Sequence, residues 1–257
     1  MTLAPRDRLI VALDVASLGE AEALLDRLEG VVSTFKVGSQ LFTAAGPAAV
    51  ELVQKRGSRV FLDLKYHDIP ATVAAAVREA ARLGVTLLTV HASGGSEMLR
   101  AAAGAGHDGK GERPRVLAVT VLTSLGRAAL QRELGVAMAV EGHVVHLATL
   151  AREAGCDGVV ASPQEARRLR GMLGPDCLIV TPGIRPASAL SCGPARLAPG
   201  ALDPRRPDGD DQVRIATAGT ACRAGADYLV VGRPITAAAD PAAAAAALVA
   251  EIAGALA

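Results

Sequence analysis

Residues 61–72 read Phe-Leu-Asp-Leu-Lys-Tyr-His-Asp-Ile-Pro-Ala-Thr, and Asp63, Lys65 and Asp68 are the side chains in it that could do chemistry. The apolar residues around Asp63 mark a buried strand running outward. Side chains two apart on a strand share a face, so Asp63 and Lys65 are expected to point the same way. Asp68 falls just past the strand, before Pro70. Burying charge is costly unless it is paired. The pair is therefore either a salt bridge closing one end of the fold or a carboxylate and an ammonium held ready for a reaction.

The surroundings of that strand repeat. Short β-branched runs, at Leu9–Leu13, Thr34–Val37, Arg59–Leu64, Thr86–His91, Arg115–Val121, Gly158–Ala161, Cys177–Thr181 and Tyr228–Val231, alternate with Ala/Leu/Arg segments of helical period. The helical patterns fall at about 17–29, 40–56, 72–83, 95–104, 140–154, 163–172, 214–224 and 240–255. Ser17 and Ser162-Pro163 give start signals for two of them. Eight strands each followed by a helix predict an α/β protein, a parallel (β/α)₈ TIM barrel. It is expected to be one domain over residues 1–257, with a long loop at about 187–211 suited to a lid. The glycine-rich stretch 107–113 reads as a surface loop.

In such barrels the site forms where strands end. Asp14 closes the first strand, Lys36 the second, and Asp63 with Lys65 the third. His91 closes the fourth, and Thr123 and Ser124 follow the fifth. The seventh ends in Thr-Pro-Gly-Ile-Arg (181–185) and the eighth in Gly232-Arg233-Pro234. Phosphate sites commonly use the last two loops. Gly183 and Gly232 let the backbone approach an anion, while Arg185 and Arg233 supply forked donors. A small phosphorylated ligand is expected. Asp14, Lys36, Asp63, Lys65 and Asp68 form more ionisable groups than barrel closure needs, which marks an active site. The carboxylates would suit Mg²⁺, but each has a lysine next in line that neutralises the field, so no metal is expected. Thr89, His91 and Ser93 read as hydrogen-bonded strand-end residues, and Tyr66 and His67 as interface packing.

Composition narrows the remaining classes. The 257 residues carry a net charge of +1 with no basic block, and 51 % are hydrophobic, with Phe35, Phe42, Phe61, Tyr66 and Tyr228 the whole aromatic set. That argues against a nucleic-acid surface and for a large aliphatic core. Cys156, Cys177, Cys192 and Cys222 never form C-x-x-C, so neither a zinc site nor a disulfide framework is expected. The first residues lack the apolar core of a signal peptide. No run of about 18 apolar residues is free of charge. A cytoplasmic location without membrane contact is expected.

With these residues in hand, the chain resembles the bacterial-type orotidine 5′-phosphate decarboxylase family nearly end to end. The resemblance rests on LIVALD, FKVG, DLKYHDIPATV, TVHA, VLTS, TPGIRP and DYLVVGRPIT, in the family's order. It implies conversion of orotidine 5′-monophosphate to UMP and CO₂ in de novo pyrimidine synthesis, with no cofactor. Lys65 is then the proton donor to carbon 6 of the pyrimidine, and Asp63 sits against the substrate carboxylate. Asp68 and Thr72 reach into the neighbouring site of a homodimer. Lys36 and Asp14 hold the ribose hydroxyls, with Lys36 extending the charged array. Thr123 or Ser124 meets the pyrimidine. Arg185, Gln212, Gly232 and Arg233 hold the phosphate. The stretch 191–208 is longer than the family's pattern, which bears on the placement of Gln212.

The nearest rivals, 3-keto-gulonate-6-phosphate decarboxylase and hexulose-phosphate synthase, share the D-x-K-x-x-D core. They are expected to use Mg²⁺ and to carry a glutamate where this chain has Lys36. A non-catalytic phosphate-ligand binder would not need Lys65 beside two carboxylates. A fusion to a phosphoribosyltransferase is not expected at this length.

Overall fold

The structure is a computed structural model that describes residues 3–105, 113–187 and 214–256. Eight strands, β1 (Leu9–Ala12), β2 (Thr34–Gly38), β3 (Arg59–Tyr66), β4 (Leu87–His91), β5 (Arg115–Val119), β6 (Gly158–Val160), β7 (Leu178–Thr181) and β8 (Tyr228–Val231), pair in chain order. Every pairing is parallel, and β8 returns to β1 through Leu9↔Leu229 and Val11↔Val231, closing the barrel. Helices connect and surround the strands, as the alternating pattern predicts.

Strands of this kind are buried on both faces, which is why they read as continuous apolar runs. Ile10, Ala12, Phe61, Leu87, Leu117, Val180 and Val230 fill the barrel interior. The alternate residues, such as Leu9, Val11, Val60, Leu88 and Val116, join the layer between sheet and helices. With so few aromatics, Phe61 is the largest side chain in the interior group and Phe35 lies fully within the outer one.

Local signals set most helix ends. Ser17 Oγ accepts from Glu20 N at 3.3 Å, and the Glu20 carboxylate accepts from Ala16 N at 2.9 Å, a reciprocal cap for the helix Leu18–Arg27. Pro70 stands in the first turn of Pro70–Arg82. Three expectations are corrected. The single helix at 40–56 is two, Ser39–Ala45 and Ala48–Gln54. Gly46 turns into a left-handed φ of 59° and Pro47 cannot continue the first helix's hydrogen bonds. The helix expected at 163–172 starts at Ala166, because Ser162 Oγ accepts from Gln164 N and holds residues 163–165 in a turn. The helix expected at 214–224 starts at Ala218, capped by the Thr217 hydroxyl accepting from Thr220 N. The short helices Pro5–Arg8, Arg127–Arg132 and Arg233–Thr236 were not expected from periodicity.

At the amino ends of the strands charge is structural. Asp157 accepts from Val116 N at 2.9 Å and from both Arg113 amino groups, while Asp227 accepts from Ile179 N at 2.8 Å and pairs with Arg170. Each carboxylate ties the start of its own strand to the neighbouring strand. No helix among the described residues is long and apolar enough to cross a membrane.

Candidate active site

The opposite, carboxyl-end face of the barrel holds a cavity of about 660 Å³. Its floor is apolar, from Ala12, Phe61, Val119, Val160 and Val230, and its walls are the strand-end residues. Asp14, Lys36, Asp63, Lys65, Thr123, Ser124, Arg185, Gly232 and Arg233 all line it. Asp68 and Thr72 do not; both are exposed at the start of the helix after β3, and Asp68 accepts from Ile69 N at 2.6 Å. Gln212, Cys192 and the stretch 188–213 lie outside the described residues, as do residues 106–112.

The charges form a line. Lys36 Nζ lies 2.8 Å from Asp14 Oδ1 and 3.5 Å from Asp63 Oδ2; Lys65 Nζ lies 2.9 Å from each Asp63 oxygen. Signs therefore alternate from Asp14 through Lys36 and Asp63 to Lys65. Gly38, paired with Asp63 across the ladder, makes room for this: a Cβ there would stand 2.8 Å from the Lys36 ammonium. The Lys36 and Asp63 side chains are about one-tenth exposed, whereas Asp14 is half exposed. Burial opposes the charge on Asp63, but Lys36 and Lys65, with hydrogen bonds from Lys65 and Thr89, outweigh it and hold the carboxyl below its usual range. Lys36 mirrors this: burial works against its charge, and Asp63 and Asp14 prevail, raising its pKa. Among the described residues, no three His, Cys, Asp or Glu side chains converge in a way that could hold a metal ion.

Lys65 shares the cavity face with Asp63, as alternation predicts, but β3 is not a regular strand there. The β3–β4 register shifts between Leu62 and Tyr66, and Lys65 has a φ of 51°. A non-glycine residue in the left-handed region costs about 1–3 kcal/mol and is found where surrounding structure enforces it, often at functional sites. Behind Lys65, His91 stacks at a tilt on His67 with ring centroids 5.4 Å apart. Burial, with His67 and Lys65, keeps the His91 imidazole below its usual pKa. Tyr66 packs against the outer core and His67 is exposed.

The two cationic turns line the same cavity as the array, and the second lies beside it: a Cβ on Gly232 would stand 3.7 Å from Asp14 Oδ2. Gly183 has a φ of 78°, a conformation glycine adopts freely. Past it, Arg185 N donates to Ala216 O, and Ala216 N to Gly183 O, clamping the two roots of the long connection together. Gly232 caps the short helix Arg233–Thr236, whose residues Arg233, Pro234 and Thr236 line the cavity.

One buried element had no signal in the sequence. Arg214 Nη1 pairs with Glu165 Oε1 at 2.5 Å, and Arg214 Nη2 donates to Val121 O and Leu122 O. That arginine holds the loop carrying Thr123 and Ser124 to the start of the helix after β6. The partners are far apart in sequence and belong to no spacing rule, so only the folded chain brings them together.

A closed parallel barrel with an ion array at its carboxyl-end mouth defines an enzyme of the (β/α)₈ class. The sequence model of the orotidine 5′-phosphate decarboxylase / HUMPS family matches residues 7–248, and the chain belongs to that family. An orotidine 5′-phosphate decarboxylase of Moorella thermoacetica is 53 % identical over 251 residues, covering 96 % of this chain and 92 % of the relative. One of Geotalea daltonii is 51 % identical over 249 residues, covering 96 % of each. Among solved structures, the crystal structure of orotidine 5′-phosphate decarboxylase from Lactobacillus acidophilus superposes with a TM-score of 0.78 at 36 % identity, covering 96 % of this chain and 99 % of that one.

Proposed function

We propose that the protein is a carboxy-lyase that converts orotidine 5′-monophosphate to UMP and CO₂ for pyrimidine synthesis in the cytoplasm, without metal or organic cofactor. The observation that carries this reading is the Lys36–Asp63–Lys65 array, with an ammonium fixed 2.9 Å from a carboxylate at the cavity wall. Lys36 favours it over the Mg²⁺-dependent sugar-phosphate branch, where a glutamate is expected.

Breaking the bond from carbon 6 to the carboxylate leaves an electron pair in the plane of the ring, where the π system cannot take it up. The required stabilisation lies toward the upper end of what enzymes supply, about 20 kcal/mol. The Lys65 ammonium faces that developing charge and then transfers a proton to carbon 6, so CO₂ leaves and a C–H bond replaces the C–C bond. Solvent returns the proton to the amine. Asp63 lies against the substrate carboxylate and raises the energy of the bound ground state. Lys36 and Asp14 hold the ribose hydroxyls, and Thr123 and Ser124 face the pyrimidine. Arg185, Arg233 and Gly232 hold the phosphate, together with Gln212. These contacts, remote from the reacting bond, offset the unfavourable carboxylate pairing.

Asp68 and Thr72 complete the neighbouring site of a homodimer; their exposure outside their own subunit's cavity supports this arrangement. Incubation of the purified protein with orotidine 5′-monophosphate is expected to yield UMP and CO₂ in equal amounts. Folded protein that leaves this substrate intact, or that acts on a ketose phosphate instead, contradicts the reading.

A further inference from the structure

We propose that Thr89 is a positioning residue that holds the bulge of β3 in the conformation from which Lys65 reaches the reacting carbon. The inference deepens the decarboxylase reading and rests on it for its kinetic consequences. Between the paired residues Leu62–Leu88 and Tyr66–Val90, β3 passes through Asp63, Leu64 and Lys65 while β4 passes through Thr89 alone. The two extra residues keep the parity of the strand, so Lys65 still lines the cavity with Asp63. They also push Lys65 into a left-handed φ, the one non-glycine residue so placed among the described residues.

A bulge removes ladder hydrogen bonds, and something else must satisfy the backbone it frees. Here it is one hydroxyl. Lys65 N donates to Thr89 Oγ1 at 2.9 Å, and Thr89 Oγ1 donates to Asp63 Oδ1 at 2.9 Å. Thr89 is fully buried, so no water competes for either bond. The same side chain thus fixes the main chain of the ammonium-bearing residue and the carboxylate paired with it. A valine of the same shape would leave the Lys65 N–H without its acceptor and take one of its donors from Asp63, leaving that carboxylate held by the lysines alone. The bulge would then be free to relax toward an ordinary ladder and carry Lys65 Nζ off its line.

The test compares Thr89→Val and Thr89→Ser with the wild-type protein, with Thr89→Ala in place of valine if that variant does not fold. Misplacing a reacting group by about 1 Å costs on the order of 10²-fold in rate, so Thr89→Val is expected to lose about that factor in kcat with little change in KM. The acid limb of its kcat profile moves to higher pH, because Asp63 loses a hydrogen bond that favours its charged form. Thr89→Ser restores most of kcat. In a crystal structure of Thr89→Val, Lys65 leaves the positive-φ region. Wild-type kcat in Thr89→Val, or a loss that serine does not restore and that falls equally on UMP binding, overturns the proposal. If the wild-type protein fails to turn over orotidine 5′-monophosphate, the decarboxylase reading falls. The crystal structure of Thr89→Val then decides the positional claim: an unchanged Lys65 φ and an unchanged contact to Asp63 overturn it.

Discussion

Lys65→Ala is expected to lose at least about 10⁴-fold in turnover of orotidine 5′-monophosphate while still binding UMP. A positioned proton donor contributes roughly 10²–10⁴-fold and a fixed charge at a developing anion about 10²–10³-fold. In the proposed mechanism Lys65 supplies both, and among the described residues no other ammonium is placed to replace it, since Lys36 is engaged by Asp14 and Asp63. In the proposed mechanism UMP binding draws on Arg185, Arg233 and the ribose contacts, and it is expected to survive the change. Kinetics on the variant, with UMP affinity measured by calorimetry, separates the two effects. Turnover near the wild-type rate removes Lys65 from the chemistry. The same variant tests the shared site: mixed with an Asp68→Ala protein and allowed to exchange subunits, two inactive proteins regain activity. No recovery, with mixed dimers present, means that Asp68 does not serve the partner's site.

Asp63→Asn should lower kcat by about 10²–10³-fold and lower KM as well. A carboxylate pressed against the substrate carboxylate raises the ground state by a share of the roughly 1–5 kcal/mol that such strain supplies. Removing it weakens catalysis and tightens substrate binding together. A variant with reduced kcat and increased KM would instead make Asp63 an ordinary binding residue. Stability gives an independent reading. The folded-state pKa of Asp63 is below its usual 3.8, so its ionisation stabilises the fold fully above pH 3.8, and that contribution is lost as pH falls through the lower folded value. The stabilities of wild type and Asp63→Asn are therefore expected to begin converging as pH falls below about 3.8 and to finish once it has passed the lower folded-state value. The asparagine variant also leaves Lys36 and Lys65 without the carboxylate between them, so the gap is widest near neutral pH.

Much of this architecture is legible in the sequence because barrel strands impose two simple patterns. Burial on both faces forces continuous β-branched runs, which locate all eight strands. Charged residues then gather toward the carboxyl ends of the strands, so Asp14, Lys36, Asp63, Lys65, Arg185 and Arg233 mark the mouth in advance. Helix ends are read less well. Gly46-Pro47 marks a break in plain view, yet the apolar period continues through it and suggests one helix. What escapes periodicity entirely is anything set by cross-strand register. A two-residue bulge leaves the inward-outward alternation of β3 unchanged, so the left-handed turn at Lys65 has no signature in the chain. Thr89, between apolar neighbours, reads as an ordinary strand residue until the opposing strand is in place. Arg214 and Glu165 meet only through the folding of the intervening segments.

The most direct measurement follows the absorbance of orotidine 5′-monophosphate after adding purified protein in the presence of EDTA. The absorbance is expected to fall at the same rate with and without the chelator, since in the proposed mechanism lysines and not a metal ion face the developing charge. Constant absorbance with folded protein, or a decay that EDTA abolishes, contradicts it.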